Sequence, residues 1–371
     1  MAEAAAAVEA AAPSAHRTAI EPLTGVRAFA ALWVVLHHLR PGPLSHAAIP
    51  PAIDLGVFRL GYLGVDLFGF LSGFVIAYNY AERLQAFDPA RSGRYLWLRA
   101  ARIFPLHWFA LLLLLAARIR IDGFDAGVND SLYRAGDFAK SMLMVHGWGF
   151  SRLSWNLPSW TVSAEWLCYL AFPLLAPWLV RERDGARGAL LAALFVIGTA
   201  LAMRAVGHAD FDAAADWGWI RIGGEFLAGC LLQRAHAAGW ARLAPWEWLG
   251  PGAVLAAAVL SVFGSAAAIV ACLALLVYAL AHDRGPLARL LSTRPIVFLG
   301  EASYAVYLMH WVVLRVLLHV CPDPLAGTAW RGSMPARFAF DLAAIGAVSI
   351  AVHLAVEAPA RRRLRRWVAP P

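Results

Sequence analysis

The chain has 371 residues, of which 61% are hydrophobic and 15% charged, with a formal net charge of +8 and a mean hydropathy of +0.61. That balance is too apolar for a soluble globular domain and describes a polytopic membrane protein. The positive charge is almost all arginine in short segments between apolar runs, a topological pattern that argues against nucleic acid as a partner, which calls for a basic face on a soluble domain.

The N-terminal stretch "MAEAAAAVEAAAPSAHR" has no basic segment ahead of an apolar core, so residues 1–20 are expected to be a disordered cytoplasmic tail and not a secretory signal. A membrane-spanning helix needs about 20 mostly apolar residues. In chain order such runs fall near 24–40, 58–80, 99–120, 160–181, 188–206, 217–235, 246–262, 265–282, 297–319 and 337–357. The apolar stretch 138–150 is too short to span and is expected to be re-entrant or interfacial. Segments carrying Arg83, Arg91, Arg94, Arg183, Arg187, Arg242, Arg284, Arg289 and Arg294, and the closing "RRRLRRW", then share one side. Asp122, Asp125, Asp130, Asp137, Asp210, Asp212 and Asp216 fall on the other. The positive-inside bias puts the basic side in the cytoplasm. The expected fold is an all-α transmembrane bundle of about ten spans over residues 21–360, both termini cytoplasmic, with a basic tail at 361–371. The Arg- and Ala-rich composition fits a GC-rich bacterial genome, and the expected location is the bacterial cytoplasmic (inner) membrane. Cys168, Cys230, Cys272 and Cys321 are scattered, so they read as apolar packing residues and no metal site is expected.

The first span, "LTGVRAFAALWVVLHHLR", carries ionisable groups that cost roughly 2.5–3.5 kcal/mol each at membrane depth. Eleven helical residues turn through about 1,100°, three turns plus about 20°, so Arg27 and His38 share a face while His37 points about 80° away. They lie about 16 Å apart along the axis, Arg27 toward the cytoplasm and His38 toward the outside. This suits an anion held by arginine and acid–base work by an imidazole. It equally suits two interfacial anchors.

The second span, "GYLGVDLFGFLSGFVIAYNY", has glycines that permit close helix approach, and its Asp66 needs a polar partner. The third, "RYLWLRAARIFPLHW", sets Arg99 and Arg102 on one side, as a grip for a phosphorylated cofactor or as membrane anchors. The fourth begins "NLPSWTVSAEWLCYLAFP" and puts Glu165 at the depth of His38. There it can orient the imidazole, steer an acceptor hydroxyl, or pair with an arginine in packing. Arg221 and Glu225 in "RIGGEFLAG" read as an internal pair. In "EASYAVYLMHW", Ser303, Tyr304, Tyr307 and His310 form a polar stripe suited to packing or to lining a cavity. Trp148, Trp155 and Asp137 suit a sugar cradle or an interfacial belt.

Taken together, these segments resemble the membrane-bound acyltransferase 3 family over about residues 20–360. The resemblance is carried by R-x10-H at Arg27 and His38, "GYLGVDLFGFLSGF", Arg99 and Arg102 followed by "RIFP", "LPSWTVSAEWLCYL", "SYAVYLMHW", and "VEAP" with Glu357. It implies His38 as the catalytic histidine, Arg27 as its essential companion and Arg99 and Arg102 as the acyl-CoA-binding pair. Glu165 and Trp160 match the family's W-[ST]-[LV]-x-x-E segment. Where the family often reads FFxLSGF, this chain has "FGFLSGF", with Gly69 in place of an aromatic. The function implied is an integral membrane O-acetyltransferase. It would move acetyl from cytoplasmic acetyl-CoA, as co-substrate and without a metal, to a hydroxyl of an extracytoplasmic glycan or glycolipid. Its partners are then acyl-CoA, a carbohydrate or lipid-linked glycan acceptor, membrane lipids and, for any second transfer, a separate extracytoplasmic transferase. The alternative is a proton-coupled transporter with a relay of Arg27, Asp66, Glu165 and His310, against which stands the lack of internal sequence symmetry.

Overall fold

The computed structural model describes residues 20–40, 55–121, 123–124, 130–151, 153, 155–214, 216–322, 326–329 and 331–368. The expected tail at 1–19 and the loop residues Asp122 and Asp125 lie outside them. Among the described residues every regular element is helical. The long elements are α1 (Glu21–His38), α2 (Gly64–Tyr80, entered through short turns at Gly56–Arg59 and Leu60–Leu63), α3 (Pro89–Arg120), α5 (Ser159–Arg181) and α6 (Gly185–Ala205). They continue with α7 (Gly218–Ala237), α8 (Trp246–Phe263), α9 (Ala266–Leu280), α11 (Arg294–Val320) and α12 (Met334–Val352). Short helices α4 (Ala135–Met142), α10 (Gly285–Leu291) and α13 (Ala358–Arg366) complete the set. The segment expected to be too short to cross is α4 and the turns after it.

Local chemistry explains the boundaries. Asp88 accepts hydrogen bonds from Ala90 N (2.8 Å) and Arg91 N (3.0 Å), with Pro89 in the first turn of α3. Asp184 caps α6 in the same way, satisfying amide groups that the helix itself cannot. Among the described residues, seven helices are long and apolar enough to span a membrane, or up to eight if α9 and α10, bent by 83°, act as one broken span. The expectation was about ten. Two of the helices that fall short, α1 and α7, carry Arg27, His37 and His38, and Arg221, Glu225 and Arg234 respectively. Those charged and imidazole side chains lower the mean apolarity of both helices.

Backbone contact holds α2 against α7. A Cβ on Gly73 would stand 1.9 Å from the carbonyl oxygen of Phe226, and one on Gly229 would stand 2.3 Å from that of Phe70. Gly73→Ala is therefore expected to lower the yield and thermal stability of folded protein. Gly198→Ala on α6, with nothing within 4 Å of the added carbon, should be neutral or stabilising by about 0.5–1 kcal/mol. Heating detergent-solubilised protein and counting the monodisperse fraction checks both, and equal behaviour of the two variants would refute the close crossing.

Asp66 finds its partner across that crossing. Arg221 Nε donates to Asp66 Oδ1 at 2.8 Å and Nη2 donates to Oδ2, while further N–H groups reach the carbonyls of Ala213 and Tyr62 at 3.3 Å. Glu225, expected as the main partner of Arg221, stands off at 4.0 Å. The planar guanidinium fork matches a carboxylate facing it end-on better than one projecting from its own helix a turn away. A Cβ on Gly69 would lie 2.6 Å from Glu225 Oε2, so an aromatic ring cannot stand here while Glu225 fills the space. This accounts for the departure from the FFxLSGF pattern.

Residues 361–366 of the expected basic tail are helical, and 369–371 lie outside the described residues. From α12 the chain passes through a π-helical stretch, His353–Glu357, into α13. Trp97 Nε1 on α3 donates to Leu364 O at 2.9 Å, and the Trp97 and Trp367 rings stack at 5.6 Å.

Candidate active site

Helices α1, α2, α5, α7 and α11 enclose a cavity of about 40 Å³, whose polar lining is Arg27, Ser72, Thr161, Glu165, Tyr304 and Tyr307. Arg27 Nε donates to Ser303 Oγ at 3.4 Å, and the guanidinium lies 5.6 Å from the centre of the Phe68 ring. Glu165 Oε1 accepts from Tyr169 OH at 2.5 Å, and Tyr169 OH is 3.0 Å from Ser72 Oγ. Since the phenol has one proton and gives it to the carboxylate, Ser72 is the donor to Tyr169. Thr161 Oγ1 and Tyr307 OH are 2.7 Å apart, and Tyr307 donates to Pro158 O at 2.8 Å.

His38 lies at the far end of α1, next to α11. Its Nδ1 is 3.0 Å from Val34 O and 3.3 Å from His310 Nε2, and His310 Nδ1 is 3.2 Å from Val306 O. A carbonyl oxygen only accepts, so each Nδ1 carries the proton. His310 Nε2 then has a lone pair to receive a shared bond from His38 Nδ1–H. In this tautomer His38 keeps Nε2 unprotonated, the state a general base or nucleophile requires. Trp311 stands edge-on to the ring at 5.8 Å. His37 turns the other way, with Nδ1 2.9 Å from Arg59 O and its ring against Tyr62 at 5.4 Å. The two neighbours thus take different partners, as the 100° helical step dictates, while their rings meet edge to face at 5.3 Å.

The structure brings Arg27 and Glu165 together around one cavity, whereas Glu165 was expected at the depth of His38 with several roles open to it. Its hydrogen bond goes to Tyr169, and the imidazole is positioned by His310. Helix α11 faces α1 with the whole polar stripe: Ser303 meets Arg27, Tyr304 and Tyr307 line the cavity, and His310 meets His38. Arg99 and Arg102 share one side of α3 but have different partners. Arg99 Nη2 donates to Tyr80 OH at 2.9 Å and covers that ring at 5.0 Å. Arg102 pairs with Glu357, whose other oxygen lies 2.8 Å from His353 Nδ1. The π-helical register brings His353 and Glu357 within this contact, and π-bulges often mark functional sites.

Sequence reasoning assigned no site role to Tyr169, Ser72 or Thr161. The one-turn spacing of Glu165 and Tyr169 was a legible signal for the first. Ser72 and Thr161 had none, since their role comes from helices distant in sequence.

The apolar helical bundle thus holds an imidazole with Nε2 open, an arginine and a carboxylate. Comparison places it among acyltransferases: a family model described as an acyltransferase domain matches residues 21–354, and the chain belongs to that family, the acyltransferase 3 family. It is 30% identical over 379 aligned residues to the acyltransferase MdmB of Streptomyces mycarofaciens, covering 93% of this chain and 92% of that protein. It is 26% identical over 336 residues to the putative peptidoglycan O-acetyltransferase YrhL of Bacillus subtilis (strain 168), covering 81% of this chain and 49% of the other. A third relative, protein 2 in the picA locus of Rhizobium radiobacter, is 30% identical over 196 residues, 51% of this chain and 94% of its own. No solved structure matches the chain.

Proposed function

We propose that the protein transfers acetyl from cytoplasmic acetyl-CoA to a hydroxyl of an extracytoplasmic glycan or glycoside in the bacterial inner membrane. The observation that carries this reading is the division of labour along α1: Arg27 lines the interior cavity, and His38, toward the opposite end, holds Nδ1–H in place and Nε2 open. His38 Nε2 takes the proton of the acceptor hydroxyl as its oxygen attacks the thioester carbonyl. The tetrahedral intermediate collapses, the C–S bond breaks, and the CoA sulfur leaves and takes the proton from the imidazolium. Arg27 offsets the negative charge of the donor inside the bundle, and Glu165 with Tyr169 and Ser72 keeps the cavity polar. Arg99 and Arg102 serve the donor from the cytoplasmic end, Arg102 through exchange of Glu357 for a phosphate. The transport reading loses support because Asp66 is held by Arg221, in a cluster separate from Arg27 and Glu165.

The test is CoA release. Inverted membrane vesicles carrying the protein, formed with a cell-surface glycan fraction trapped in the lumen and then given acetyl-CoA outside, should liberate CoA thiol outside and deposit alkali-labile acetate on the glycan in equal amounts. No thiol release above vesicles without the protein, across several glycan fractions, would refute the donor assignment.

A further inference from the structure

At the end of the bundle opposite His38 is a second, larger cavity of about 520 Å³, whose lining includes Arg83, Arg91, Arg94, Arg365 and Arg366 together with Tyr80 and Tyr95. That volume lies within the range of ligand pockets, ~300–1,000 Å³. Among the described residues, Arg91 is the one arginine of these five with a carboxylate partner, Asp88 at 3.6 Å. Glu82, the other nearby acid, is taken by Arg234 at 2.7 Å. Five guanidinium groups around one basin repel each other unless an anion is present.

Polar atoms on and behind the floor repeat the message. Tyr95 is 2% exposed, lines the basin, and its hydroxyl is buried without a hydrogen-bond partner, as is Nε of Arg99 behind Tyr80. Buried polar groups are normally satisfied, and an orphan at the bottom of a basic basin is a place for a ligand acceptor. The basin also has a wall from the chain's end. Arg365 and Arg366 reach it because α13 is clamped to α3 by the Trp97–Leu364 hydrogen bond and the Trp97–Trp367 stack.

We infer that this basin, closed on one side by the C-terminal helix, is the seat for the phosphate groups of the acyl donor's nucleotide. Resting on the acyl-CoA reading above, it gives the basic C-terminus a binding role in addition to a topological one. It moves the main phosphate grip outward from Arg99 and Arg102 to arginines free of buried acids. Tyr80, which lines the basin and receives the hydrogen bond of Arg99, joins the two. Clustered phosphates on an anionic lipid headgroup offer the same chemistry, so the test separates the sources.

Purified full-length protein in neutral detergent is titrated with acetyl-CoA, adenosine 3′,5′-bisphosphate and S-acetylpantetheine, with and without phosphatidylglycerol. Arg94 and Arg366 are both exposed, so the double variant R94Q/R366Q should keep the wild-type melting temperature. With two charge-assisted contacts removed, the variant is expected to bind acetyl-CoA and the bisphosphate at least ~100-fold more weakly. Its affinity for S-acetylpantetheine, which lacks the nucleotide, should not change. W367A, which releases α13, should follow the same pattern with a smaller loss. If wild type binds acetyl-CoA and the double variant binds it equally well, the basin inference falls and the donor reading stands. If wild type binds neither acetyl-CoA nor S-acetylpantetheine, the donor reading falls and takes the basin with it. Displacement of the bisphosphate by phosphatidylglycerol, with acetyl-CoA binding untouched by lipid and by mutation, would reassign the basin to lipid headgroups.

Discussion

His38→Ala should abolish measurable acetylation while His37→Ala retains most of it. Loss of a general base costs typically 10²- to 10⁴-fold in rate, and mass spectrometry of alkali-labile acetate on surface glycans of cells expressing each variant reads that difference directly. The physical ground is the contrast between two adjacent imidazoles. His37 is spent on the carbonyl of Arg59, which ties α1 to the turn before α2, whereas His38 is held by Val34 O and His310 with Nε2 left over. His310→Ala tests the positioning role. It should lower kcat by about tenfold with little change in KM, since His310 orients the base. A purely structural role would instead lower the amount of folded protein and leave kcat per folded molecule alone. Equal loss of acetate in the His37 and His38 variants, both present in the membrane at wild-type level, would refute the assignment of His38 as the base.

Removing Arg221 should be the most destabilising single change in the bundle. Arg221→Leu leaves Asp66, fully buried, and Glu225, 1% exposed, without their cation, and breaking a buried pair by deleting one member costs ~3–5 kcal/mol. The carbonyl of Ala213 also loses its Arg221 donor, at a further ~1–3 kcal/mol. Asp66→Leu/Arg221→Leu removes the paired charges together and leaves Glu225 and the Ala213 carbonyl without Arg221, so it should recover a part of the loss. Unfolding of a membrane protein is commonly irreversible, so the readout is the half-life of the monodisperse form at fixed temperature. A double variant no more durable than Arg221→Leu would show that Asp66 and Arg221 are not energetically coupled.

Much of the fold and the outline of the site were legible because they follow from one-dimensional spacing. Apolar runs of about 20 residues mark the helices. The eleven-residue interval from Arg27 to His38 fixes a shared helical face through the 100° step, and with it the different fates of His37 and His38. Even the need of Asp66 for a polar partner is dictated by the desolvation of a lone carboxylate. Which partner it finds is not. Arg221 could turn to Glu225 one helical turn away or to Asp66 on another helix, and only the crossing of α2 over α7 presents Asp66 to the guanidinium fork. Likewise Glu165 has the right residue type and depth for several roles, and the tertiary packing gave it to Tyr169 and the Arg27 cavity, leaving His310 to position His38. Periodicity within a helix determines which side chains share a face. The relative rotation and crossing of helices distant in the chain determine which faces meet, and no local pattern encodes that choice.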